Sequence, residues 1–137
     1  MDLMERHHIK NIKGILMFKD IALFHIEVVN YNLIKLVEYS RQQNFKYYPY
    51  EFTVPLTNGL PLGYFHVDFF FKHRVVQDGA QDIRVYLNTM GLDYYDLDEL
   101  IKRTNGHNFM NPLWFKFNNY GATQYSDLAE QSYPVLK

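Results

Sequence analysis

The stretch Gly14–Val29 reads GILMFKDIALFHIEVV, and its alternation decides the fold class. Ile15, Met17 and Lys19 alternate with Leu16 and Phe18. After a short turn, Ile21, Leu23, His25 and Glu27 alternate with Ala22, Phe24, Ile26 and Val28. Successive side chains of a strand point to opposite sides. The second set is wholly apolar, so it belongs on a core face, and residues 14–29 are predicted to form a β-hairpin. Asn30 and Asn32 supply turn chemistry. Leu33–Tyr39 then reads as a third strand in preference to the start of a helix.

Downstream the pattern changes. Phe45–Phe52 holds five aromatics in eight residues around Pro49, and Pro55, Gly59, Pro61 and Gly63 follow. Breakers at that density disfavour a long helix or a central strand, so residues 40–62 are expected to be a long aromatic loop. The rest reads as short helices and one late strand. Tyr64–His73 fits a helix burying Phe65, Phe69 and Phe70. Asp78 is a natural N-cap for a helix running to about Met90, with Ile83, Tyr86, Leu87 and Met90 on one face and Gly91 as its left-handed end. Asp96 with Glu99 resembles a capping box before Leu97, Leu100 and Ile101, and Gly106 closes that helix. In the strand at Leu113–Phe117, Leu113, Phe115 and Phe117 share a face, with Trp114 opposite in a packing role. Ser126–Tyr133 fits a short tail helix stopped by Pro134. The expectation is a single α+β domain over residues 1–137, with 1–12 frayed: an N-terminal antiparallel hairpin or meander, an aromatic loop, then short helices and a late strand.

Composition narrows the function classes. A chain of 137 residues fits one domain. Fourteen basic residues against fifteen acidic ones leave a formal charge of −1. No global basic field therefore draws the chain to duplex DNA or to an anionic membrane. No apolar run reaches the roughly 20 residues that a bilayer requires. The opening MDLMERHHIKNIKG has no signal-peptide pattern. With no cysteine in the chain, thiol chemistry is excluded, and a cytoplasmic location is expected.

The chemistry-bearing residues form no signature. His66 and His73 would share a helix face, with Asp68 pointing elsewhere, and no spacing gathers the three or four ligands a metal needs. Neither a metal nor another cofactor is expected. Asp96, Asp98 and Glu99 sit at a helix start, where they complement the macrodipole. Ser40, Ser126 and Ser132 lie in no nucleophile elbow. The helices around Gly91 superficially resemble a helix-turn-helix, yet the second would present Asp93, Asp96, Asp98 and Glu99 to phosphates. The aromatic segment is the remaining candidate. Phe45, Lys46, Tyr47, Tyr48, Tyr50 and Glu51 suit a protein-binding surface, because aromatics bury much area at little entropic cost. The competing arrangement folds alternate rings under to cap the hairpin. Stacking of single-stranded bases is a third option.

GILMFKDIALFHIE at 14–27 resembles the opening of small proteins common in bacterial mobile elements. FKHRVVQDGAQDIRVYLNTMGLDYYDLDELIKRTNG at 71–106, followed by NPLWFKF at 111–117, resembles their later half. In longer relatives this region precedes a HipA-like kinase domain. Asn111 and Pro112 depart from that pattern, and no nucleotide-binding motif is present, so kinase activity does not carry over. The resemblance implies phage or mobile-element origin and a regulatory role, and it assigns no catalytic residue. The leading expectation is a non-enzymatic regulator that binds another protein. Its settings would be inhibition of a host defence nuclease, in the manner of anti-CRISPR proteins, or a toxin–antitoxin-like circuit. A nucleic-acid-binding regulator comes second, and a small enzyme with a dispersed site third.

Overall fold

The computed structural model describes residues 6–108 and 111–128, and within it the alternating stretch forms a hairpin. Strands β1 (Ile12–Phe18) and β2 (Ile21–Val29) pair antiparallel, with Leu16 opposite Phe24 and Ile15 opposite His25. Strand β3 (Asn32–Glu38) extends the meander. The turn between β2 and β3 is Asn30–Tyr31, with φ of 49° and 67°. Positive φ at both central residues matches the twist of tight hairpins. Strand β4 (Leu113–Phe117) returns beside β1, giving a four-stranded antiparallel sheet in the order β3-β2-β1-β4. Gly14 makes this closure possible. A Cβ there would lie 2.2 Å from the Lys116 carbonyl oxygen, so only glycine allows the backbones to approach.

The sheet has two apolar faces. Leu16, Phe24, Ile26, Val28, Phe115 and Phe117 meet the helices in the main core. Each large side chain fully buried there contributes roughly 1.5–3 kcal/mol. On the opposite face Met17, Trp114, Ala122 and Leu128 form a smaller cluster. Leu113 and Trp114 thus face opposite ways, as alternation predicts. Trp114 Nε1 donates to the Lys19 carbonyl at 2.6 Å, tying β4 to the first turn.

Five helices lie between the meander and β4: α1 (Arg41–Asn44), α2 (Tyr50–Thr57), α3 (Tyr64–Lys72), α4 (Ile83–Thr89) and α5 (Leu97–Thr104), with a 3-10 turn at Phe45–Tyr47. The expected loop at 40–62 is therefore mostly helical turns. Pro49 is extended and stands just before α2, where a missing N–H costs nothing. Pro55 removes one backbone bond from a helix that ends two residues later, and burial of Phe52 and Pro55 compensates.

The predicted face of α3 is also corrected. Val67, Asp68, Phe70 and Phe71 are buried, while Phe65 and Phe69 are exposed. Asp68 turns inward because its carboxylate accepts the buried Ile9 amide at 2.8 Å. Asp78 is not an N-cap: α4 begins after Asp82, and Asp78 meets His7 instead. Its far end is as expected, with Ile83, Tyr86, Leu87 and Met90 on the core and Gly91 at φ 76°. Asp96 caps α5 by accepting from the Glu99 amide, and Asn105, at φ 54°, ends that helix.

Residues 6–12 are held, contrary to the expected fraying. Ile9 is fully buried, its carbonyl accepts from the Tyr64 hydroxyl, and Asp98 accepts the Lys10 and Asn11 amides at 2.9 and 2.8 Å. Residues 1–5 lie outside the described residues. So does most of the expected tail helix at 126–133; its described part holds a 3-10 turn at Tyr125–Asp127. Among the described residues no helix is long and apolar enough to cross a membrane.

Candidate functional site

Helices α2 and α3 each bury one side and leave another apolar side outward. In α2, Phe52 and Pro55 face the core, while Tyr50 and Val54, one turn apart, face solvent. Leu60 follows beyond Gly59, whose φ of 75° ends the helix sharply. Gly63 precedes α3, and its N–H donates to His66 Nδ1 at 3.0 Å, so this imidazole closes the helix start. Phe65 and Phe69, again one turn apart, stack at 5.8 Å on the outer side of α3. The ring of Phe69 meets His73 edge-on at 4.4 Å.

These outward sides converge. Tyr50, Val54, Leu60, Phe65 and Phe69 line a groove of about 330 Å³, with Glu51, Asn58 and His66 at its polar edges. Exposure reaches 71% for Phe65 and 65% for Tyr50.

Phe69 also walls a neighbouring cleft of about 650 Å³, which His7, His8, Lys72, His73, Asp78 and Tyr95 border. Its titratable side chains are paired, within α3 and with neighbouring segments. His7 Nε2 lies 2.7 Å from Asp78 Oδ2, His8 Nδ1 lies 2.9 Å from Asp68 Oδ2, and Lys72 Nζ lies 3.1 Å from that same oxygen. His73 stands 3.8 Å from Glu51. Burial pushes the Tyr95 hydroxyl up to about 12, and it donates to the Val76 carbonyl. Tyr95 is thus a neutral, fixed wall.

The six residues of the aromatic segment divide between core and groove. Tyr48 is buried, and its hydroxyl donates to Glu38 at 2.6 Å. Burial and that carboxylate raise its pKa, while hydrogen bonds from Arg41 and Tyr48 lower that of Glu38. Phe45 packs on Tyr48, Tyr47 stacks on Phe18, and exposed Lys46 lies over the Tyr47 ring. Phe45, Tyr47 and Tyr48 pack on the main core. Only Tyr50 and Glu51 reach the groove. Val54, Leu60, Phe65 and Phe69 were not singled out as surface by sequence reasoning. Their signal is an apolar excess on two short helices and the loop between them that one core face cannot absorb.

The acidic residues at the start of α5 are engaged: Asp96 with a helix amide, Asp98 with two backbone amides, and Glu99 with Lys102 and Arg103. Burial raises the Asp98 pKa even though both amides favour its charge. His107 is held below the usual imidazole range by burial and by Arg74. Among the described residues no three histidine or carboxylate side chains are placed to hold a metal ion. In comparison with known proteins, the chain matches no family model, no curated protein and no solved structure.

Proposed function

We propose that this protein is a non-enzymatic, protein-binding regulator whose docking surface is the outer face of α2 and α3. The observation that carries this reading is the groove, where five exposed apolar side chains from two helices and the loop that joins them share one concave surface. Aromatic and aliphatic anchors of this kind dominate the energetics of protein interfaces. The polar groups around the face support a binding role over a catalytic one, because they already hold structure. His66 closes a helix, Asp68 and Asp98 hold backbone amides, and His7 and His8 meet carboxylates. A regulator is also the role implied by the likeness to mobile-element proteins, with a defence nuclease or a toxin as the target it would restrain.

Capture from a lysate of the cell that encodes the protein tests this. Immobilised wild type and Phe65→Ser are compared, with the thermal midpoint of each measured in parallel. Loss of a partner at an unchanged midpoint is expected. A Phe65→Ser protein that retains every partner of the wild type overturns the assignment of this face.

A further inference from the structure

Asparagine is followed by glycine twice in this chain, at Asn58–Gly59 and Asn105–Gly106, and aspartate once, at Asp78–Gly79. Such a step has covalent chemistry of its own, because no Cβ on the second residue crowds its amide nitrogen. That nitrogen attacks the asparagine Cγ, a C–N bond forms, the side-chain nitrogen leaves as ammonia, and a five-membered succinimide closes. Water then opens the ring at either carbonyl. One opening leaves aspartate; the other leaves isoaspartate, with the main chain rerouted through Cγ. The reaction needs a free amide nitrogen and a backbone able to turn, so the fold decides which step reacts.

Asn105 is locked. It is 1% exposed, its Nδ2 donates to the Phe115 carbonyl at 3.0 Å, and its Oδ1 accepts from the Ala122 amide. The Gly106 amide donates to the Ile101 carbonyl and to the Thr104 hydroxyl. Freeing these groups undoes the seat of β4. At Asp78 a carboxylate, a poorer electrophile than an amide, replaces the asparagine, and His7 holds one of its oxygens at 2.7 Å.

Asn58 is exposed at the C-terminal end of α2. Its Nδ2 donates to the Val54 carbonyl at 3.0 Å, and the Gly59 amide donates to the Leu56 carbonyl at 3.1 Å. These bonds lie within the last turn of one short helix. Pro55 denies that turn a bond from its own nitrogen back to the Glu51 carbonyl. A Cβ on Gly59 would meet nothing within 4 Å, so no neighbouring element clamps the backbone there. Helix ends of this kind open at a fraction of the free energy of global unfolding.

We propose that Asn58 is a site of spontaneous deamidation in the folded protein, selected over Asn105 by the local opening of the last turn of α2. The product carries a new carboxylate at the polar edge of the α2–α3 groove, where Asn58 lies. The modification does not depend on what that groove binds.

Peptide mapping by mass spectrometry tests this on the full chain, aged in mildly alkaline water enriched in oxygen-18, both folded and in urea. In the folded protein the Asn58 peptide is expected to exchange its amide for a labelled carboxylate at least about tenfold faster than the Asn105 peptide, with isoaspartate among the products. In urea the two rates should converge. Asn58→Gln, whose longer side chain closes a six-membered ring slowly, should leave the position unchanged. An Asn58 that keeps its amide in the folded protein and loses it in urea overturns the proposal, because the turn then stays closed. Equal rates at Asn58 and Asn105 before unfolding overturn the selection by local opening. Amide loss without any isoaspartate overturns the succinimide route.

Discussion

Replacing Asp68 by alanine removes a buried group that ties α3 to the N-terminal segment. Its carboxylate accepts the Ile9 amide and faces His8 and Lys72. Ile9 is fully buried, so its amide would be left without an acceptor, at a cost of about 2 kcal/mol. His8 and Lys72 keep 41% and 33% of their side chains exposed. Water replaces much of what they lose, adding about 1 kcal/mol. The total is about 3 kcal/mol. At this chain length each kcal/mol moves the midpoint by about 4 °C, so circular-dichroism melting should show a drop of about 12 °C. Asp68→Asn retains an acceptor for Ile9 and should cost about 1 kcal/mol. An Asp68→Ala protein within about 0.5 kcal/mol of wild type, the ordinary surface effect, would refute the reasoning and show that the Asp68 carboxylate does not hold residues 8–9 to α3.

Trp114→Ala should cost about 3–5 kcal/mol by emptying the smaller cluster; Trp114→Phe should cost about 1–2 kcal/mol, the Lys19 carbonyl losing its donor. Urea titration separates the two. Gly14→Ala sets a methyl group against the Lys116 carbonyl and the Phe115 ring; failure of β4 to dock should appear as lost amide-exchange protection at 113–117. His107 is depressed in the folded state, so the unfolded chain takes up its proton first. Its stabilising share is full above about pH 6.5 and is lost as pH falls toward the folded value. His107→Gln should flatten the dependence of the urea midpoint below that pH.

The meander and the faces of β4 are legible because alternation assigns them; the partner of β4 is not, since the close approach of Gly14 to Lys116 shows only in the fold. The ends of α4 and α5 were legible from Gly91 and Asp96, whose backbone and side-chain preferences are local. The helical turns at 41–57 were hidden, because Pro49 and Pro55 count as breakers until one sees how short the helices are. The face of α3 was hidden for a different reason. Its sequence, YFHVDFFFK, is apolar on nearly every side, and the one acid within it, Asp68, reads as a solvent marker. In the structure that carboxylate points inward to an amide 59 positions earlier, a long-range contact no periodicity reports. The candidate site shares this fate: of the aromatic segment only Tyr50 and Glu51 lie on the groove, while the helical spacing of Phe65 and Phe69, its most apolar wall, points to the core.

The central place of β1 has a consequence for synthesis. Its inner neighbour β2 follows at once, but the Lys19 carbonyl waits for a tryptophan 95 positions later. A ribosome adding about 5–20 residues per second exposes the finished meander for several seconds before β4 exists. Throughout that interval β1 presents an open edge able to pair with a neighbouring nascent chain. A chain released before Phe117 would keep its meander and its sticky edge together, in a form suited to aggregation.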